Sequence, residues 1–154
     1  MLVKNQDEFN KALPKEARLL GLDVGEKTIG IAISDLRRVI ASPLLTIERK
    51  KFSKDIEILK DVISKQDICG LIIGNPLNMD GGSNSRTQSV NTFISNISKQ
   101  IKLPMTLWDE RMSTMAVEKM MIQADMSRKR RGELVDKLAA SYILQGYLDK
   151  MIKI

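Results

Sequence analysis

Histidine is absent from this chain of 154 residues. Its absence excludes Ser-His-Asp and Cys-His nucleophile systems and every imidazole-ligated metal site. The single cysteine, Cys69, can form neither an internal disulfide nor a thiolate cluster. Its apolar neighbours in "ICGLIIG" predict an inert, buried thiol. One Trp, two Tyr and three Phe leave little for extensive stacking on bases. The longest apolar run, again around "ICGLIIG", is far too short to cross a bilayer. The opening MLVKNQDEFN has no apolar segment of the kind a secretory signal carries, so a cytoplasmic protein without membrane attachment is expected. Any catalysis must therefore use carboxylates, lysines, hydroxyls, backbone amides or hard cations. Carboxylates holding Mg²⁺ or Mn²⁺ lead, because oxygen ligands suit those ions.

What the chain does have is basic charge. Lys and Arg number 25 against 19 Asp and Glu, a formal net charge of +6. That balance suits a polyanionic partner such as RNA, DNA or anionic lipid, although many soluble proteins are as basic without one. A hydrophobic content of 43% is that of an ordinary globular chain. No internal repeat or low-complexity linker divides it, so residues 1–154 are expected to form one domain, with 1–16 a short N-terminal extension. Within that extension "DEFNKAL" is weakly helical and Pro14 ends it.

From Arg18 the pattern changes. "RLLGLDVG" reads as a buried strand stopped by Gly25, and "TIGIAISD" follows after a few turn residues to make a hairpin. "VIASPLLTIE" is a third strand that Pro43 assigns to an edge or a bulge. In "SKDIEILKDVISKQ" the spacing of Ile56, Leu59, Val62 and Ile63 predicts an amphipathic helix. "ICGLIIG" is a strand buried on both faces, "SVNTFISNISKQI" a second helix, and "PMTLWDE" a further strand. "STMAVEKMMIQ" is a third helix with Ser113 or Thr114 as its cap, "MSRKRRGE" a basic loop, and "LVDKLAASYILQGYLDKMI" a closing helix. The order β-β-β-α-β-α-β-α-α predicts an α/β fold: an antiparallel meander continuing into parallel strands, flanked by helices.

Three acids stand out against this layout. Asp23 ends the first strand inside the apolar "LLGLDVG", where a carboxylate is costly unless paired, metal-bound or capping the adjacent turn. Asp136 shares a helical face with Ala139, Ala140, Ile143 and Tyr147; it serves either a shared carboxylate site or simply the helix dipole in the first turn. The third comes from "WDERMST". Asp109 and Glu110 are adjacent on a strand and must point to opposite faces, and pleat geometry alone does not choose between them. Strand ends on one edge of a parallel sheet converge, so either acid can approach Asp23. Such a cluster without histidine makes sense mainly as a site for one or two Mg²⁺ or Mn²⁺ ions in phosphodiester cleavage.

The motifs "GLDVGEKTIGIAISD", "GNPLNMDGG", "WDERMST" and "VDKLAASYILQGYL" together resemble the YqgF-type family of pre-16S rRNA nucleases, also described as Holliday-junction resolvases. The resemblance runs from about Arg18 to Tyr147 and implies a ribonuclease H-like fold with a mixed five-stranded sheet. It implies hydrolysis of phosphodiester bonds with a divalent metal, and catalytic, metal-holding acids at Asp23, Glu110 and Asp136. The family's loop usually has leucine where this chain has Asn75, which either adds a polar contact or is neutral.

For the substrate backbone, Arg86 and Arg111 are candidates beside the acids, and Arg128, Lys129, Arg130 and Arg131 form a basic arm just before Asp136. Gly81 and Gly82 either offer amides to a phosphate or form an ordinary turn. The expected substrate is structured RNA, with pre-rRNA implied by the resemblance; branched DNA in the form of a four-way junction is the alternative. The expected assembly is a monomer or weak homodimer. An actin-like or sugar-kinase ATPase would need a second domain that this length does not supply. A non-catalytic binding protein would have no use for three clustered acids.

Overall fold

The computed structural model describes residues 1–78, 80–110 and 128–152, the side chains of 128–137 excepted. Five strands form one sheet in the order β3-β2-β1-β4-β5. They are β1 (Arg18–Val24), β2 (Thr28–Ser34), β3 (Ala41–Glu48), β4 (Ile68–Asn75) and β5 (Met105–Asp109). The pairs β1–β2 and β2–β3 are antiparallel, whereas β4 runs parallel to both β1 and β5. The expected hairpin, meander and parallel half are all present. Pro43 satisfies both readings at once: β3 is an edge strand, and its register with β2 shifts between Ile31 and Ala32, opposite Leu45 and Pro43.

Four helices are described: α1 (Gln6–Lys11), α2 (Phe52–Lys65), α3 (Ser85–Ser98) and α4 (Arg128–Ile152). They cover both faces of the sheet, so the central strands are buried on both sides and their sequences are nearly continuous apolar runs. Alternate residues divide between two cores. Leu20, Leu22 and Val24 of β1 meet Ile56, Leu59, Val90 and Phe93 of α2 and α3. Leu19 faces the other way, with Ile72, Ala140, Ile143, Leu144 and Tyr147. Gly21 lies on that second face: a β-carbon there would come within 2.7 Å of Leu144 Cβ and 2.8 Å of the Ala140 carbonyl. Helix α4 can thus lie directly on β1, the close approach that its small alanines predict.

Residues 1–16 are docked onto the sheet. Leu2 bridges Met105 in parallel, and Val3 N–H donates to the Met105 carbonyl at 2.7 Å. Thr106 Oγ1 donates to the Val3 carbonyl, and Phe9, fully buried, meets Tyr147 edge to face. These residues continue β5 outward and complete the second core.

The closing helix differs from its expected start. Arg128, Lys129, Arg130 and Arg131 lie within α4 rather than in a loop. Lys and Arg are good helix formers, and the helix-weakening Gly132 costs only about 1 kcal/mol, a penalty that packing of the later turns outweighs. Asp136 therefore lies about two turns inside the helix, not in its first turn, and the helix dipole gives no reason for its presence. The predicted helix "STMAVEKMMIQ" and its Ser113 or Thr114 cap fall outside the described residues.

Candidate active site

The pleat and the two cores put Asp109 and Glu110 on opposite faces of the sheet. On β5, Met105 and Leu107 face the α2–α3 core. Trp108 belongs to the α4 side, where it packs against Gly146. Asp109 is exposed and alternates with Trp108, while Glu110 falls on the α4 side and is only 7% exposed. On β1, Asp23 follows Leu19 and Gly21 on that same side. Glu110 is the acid that shares a face with Asp23.

Glu110 is held by its backbone and by the space beneath it. Its N–H donates to the Asn75 carbonyl at 3.2 Å, extending the β4–β5 pairing one residue past the strand end. Its carboxylate lies over Gly74, where a β-carbon would collide with Oε2 and come within 2.6 Å of Ile143 Cδ1. Gly74 was not among the residues read from the sequence as functional. A glycine at the end of an otherwise apolar strand, "LIIGN", was the available signal. Asn75 contributes its main-chain carbonyl, which also accepts from Leu77 N–H at 2.9 Å, a role open to any residue.

The carboxyls of Asp23 and Glu110 lie within hydrogen-bonding reach of each other. Burial first, and the neighbouring Asp23 charge second, raise Glu110 from 4.5 to about 7; Arg86 opposes the shift. Arg86 Nη2 sits 3.5 Å from Glu110 Oε1. The arginine belongs to the first turn of α3, a helix started by a reciprocal capping box between Asn84 and Thr87. From the α3 layer it reaches across the carboxyl edge of the sheet to the acid pair.

The loop before α3 answers the question of Gly81 and Gly82. Gly82 N–H donates to Asp80 Oδ1 at 2.8 Å, and Gly81 N–H to the Asn78 carbonyl at 2.8 Å. Gly81 has φ of 88°, the left-handed turn conformation. Both amides are used within the turn, so they are not offered to a phosphate.

Of the expected site residues, the structure brings Asp23, Glu110 and Arg86 together. Asp136 lies one turn before Ala140 on α4, and Ala140 contacts the position of Gly21 two residues before Asp23. The backbone thus brings that part of α4 toward the carboxyl edge; the Asp136 side chain is outside the described residues. So are Arg111 and the side chains of Arg128, Lys129, Arg130 and Arg131. Among the described residues no group of three metal-binding side chains is found. The two described acids do fit a hard cation: both are oxygen donors, and a cation between them would offset the repulsion of their charges.

A mixed five-stranded sheet of this order, flanked by helices on both faces, is the ribonuclease H-like fold. Solved structures agree on the fold. The chain matches "T. thermophilus RuvC in complex with Holliday junction substrate" with a TM-score of 0.53 and 10% identity, over 88% of this chain and 96% of that one. It matches the yeast mitochondrial Holliday junction resolvase Ydc2 with a TM-score of 0.50 and 10% identity, over 96% and 89%.

The family follows from sequence similarity. A family model described as "RuvX: Holliday junction resolvase" matches residues 17–150. A Zymomonas mobilis protein named "Putative pre-16S rRNA nuclease" is 52% identical over 96% of this chain and 92% of its own. A Rhodobacter capsulatus protein of the same name is 50% identical over 98% and 95%. This chain belongs to the RuvX (YqgF-type) nuclease family.

Proposed function

We propose that the protein is a divalent-metal-dependent endonuclease that processes the 5′ end of pre-16S rRNA. The observation that carries this reading is the pairing of the buried Glu110 with the half-buried Asp23, with Arg86 on its edge. Asp23, Glu110 and Asp136 would hold Mg²⁺ or Mn²⁺, which when bound supplies an activated water and stabilises the leaving oxygen of a phosphodiester. The chain's own contribution is placement. Asn75 and Gly74 set the depth of Glu110, Arg86 fixes its orientation, and the helix α4 that carries Asp136 lies against β1 at Gly21. Arg86 and Arg111 contact the phosphates flanking the cut. Arg128, Lys129, Arg130 and Arg131, on the helix leading to Asp136, add salt-sensitive affinity for the backbone. The proposed setting is the cytoplasm, and no helix among the described residues is long and apolar enough to cross a membrane.

RNA is favoured because the rRNA-nuclease name is carried by relatives about half identical over nearly their full length. Cleavage of four-way DNA junctions is the second reading, favoured by the description of the family model. Equal concentrations of a 5′-extended 16S precursor RNA and a four-way DNA junction, each with Mg²⁺ or Mn²⁺, separate the two. Site-specific cleavage of the RNA and none of the junction is expected; the opposite outcome assigns the protein to junction resolution.

A further inference from the structure

A cleft of about 310 Å³ opens between the end of β1 and the start of α3, lined by Val24, Gly25, Glu26, Ser85, Arg86 and Ser89. Arg86 joins it to the acid pair through its contact with Glu110. A second arginine, Arg49, is not itself a lining residue but is anchored on Gly25 of the cleft wall. Arg49, at the end of β3, donates from Nη1 to the Gly25 carbonyl at 2.7 Å. Its Cζ lies 5.7 Å from the centroid of Phe93, one turn beyond Ser89 on α3. Its backbone N–H is fixed as well, on the Lys27 carbonyl at 2.8 Å.

This half-buried guanidinium is set by a carbonyl and a ring, and neither neutralises its charge. The ion pairs among the described residues are Lys65–Asp61 and Arg86–Glu110, so Arg49 has no carboxylate partner among them. The cleft wall beside it favours an anion, since the first turn of α3 carries no acid and a helix start is electropositive. Glu26 is the one acid among the described lining residues, and it is exposed.

We propose that Arg49 is a phosphate-positioning residue, and that the cleft receives the phosphodiester backbone next to the scissile bond, gripped between Arg86 and Arg49. The inference rests on the nuclease reading and adds a path for the strand: from the acids past Arg86, along the start of α3, to Arg49. The guanidinium fork matches phosphate oxygens, and its fixed orientation lowers the entropy lost on binding. A strut that merely ties β1 to α3 would use the same carbonyl and ring, so the test has to register charge at the ligand.

Anisotropy of a labelled hairpin RNA with a single-stranded flank, and of a labelled four-way DNA junction, is measured from 50 to 300 mM KCl. The Glu110→Gln background suspends cleavage, and Arg49→Met and Arg49→Lys are introduced into it. Arg49→Met keeps an apolar stem over Phe93. It should weaken binding about tenfold at low salt and flatten the slope of log K against log salt by about 0.7–0.9, the loss of one phosphate contact. Arg49→Lys should restore the slope. In the active background the loss should appear in KM rather than kcat. A slope unchanged in Arg49→Met, whatever happens to thermal stability, makes Arg49 a strut and overturns the proposal. So does a loss confined to the junction, since a contact to the substrate backbone must register on the RNA. Neither result touches the nuclease reading, which falls only if cleavage survives loss of the acids.

Discussion

Replacing Glu110 with glutamine should stabilise the metal-free protein at neutral pH. In the folded chain the carboxyl titrates near 7 instead of 4.5, because it is buried and faces the Asp23 charge. Between those values the folded state binds more protons at Glu110 than the unfolded state does. Stability is therefore fully present below about pH 4.5 and falls as pH rises through 7. At about 1.4 kcal/mol per pH unit, the gap amounts to about 3 kcal/mol. Solvent reaching the Arg86 side of the pair reduces that figure, so it is a ceiling. Glutamine keeps the shape and one hydrogen bond to Asp23 but carries no charge. In EDTA at pH 7.5 the variant should melt roughly 4–10 °C above the unmutated protein. The two melting curves should converge near pH 4.5. Adding Mg²⁺ should stabilise the unmutated protein more than the variant, reversing the trend. Scanning fluorimetry from pH 4.5 to 8 measures all of this. A variant that melts with or below the unmutated protein at pH 7.5 in EDTA would refute the buried Glu110 carboxylate facing Asp23.

Other substitutions probe the placement of the acid. Gly74→Ala puts a β-carbon where the Glu110 carboxylate lies; it should cost about 1–3 kcal/mol in denaturant melts and reduce cleavage at least tenfold. Asp109→Asn, on the opposite face of β5, should leave the cleavage rate within about threefold, and a loss as large as that of Glu110→Gln would show that the wrong acid has been chosen. Phe9→Ala should destabilise the protein by about 3–5 kcal/mol in urea titration, since the N-terminal segment completes the α4-side core.

Much of this fold is legible because its signals are local. The hairpin declares itself in two apolar runs a few residues apart, and Pro43 marks β3 as an irregular edge. The role of residues 1–16 is not legible in the same way. Their attachment combines main-chain bonds between Val3 and Met105 with burial of Phe9 against Tyr147, partners more than a hundred positions apart, and such long-range pairing leaves no local pattern to read. The run from Arg128 to Arg131 illustrates an opposite failure. Dense charge suggests a loop, yet lysine and arginine are favourable in helices, and the apolar turns that follow carry the helix through them. At the site, adjacency in sequence shows that Asp109 and Glu110 diverge but not which one faces inward. That depends on which face of β5 meets α4, and Gly74, Ile143 and Trp108 reveal it only once strands and helix are packed. Asp23 was easier, because an acid within an apolar strand stands out on its own.

In the proposed nuclease, Asp23, Glu110 and Asp136 act together as one metal-holding site. Its most direct test is single-turnover cleavage of a 5′-extended 16S precursor RNA in Mg²⁺ by the unmutated protein and by Asp23→Asn, Glu110→Gln and Asp136→Asn. EDTA should abolish cleavage, and each variant should lose at least about a hundredfold in rate, with combined variants losing little more, because the three residues act as a unit. Metal-dependent cleavage at an undiminished rate in any one of the three would contradict it.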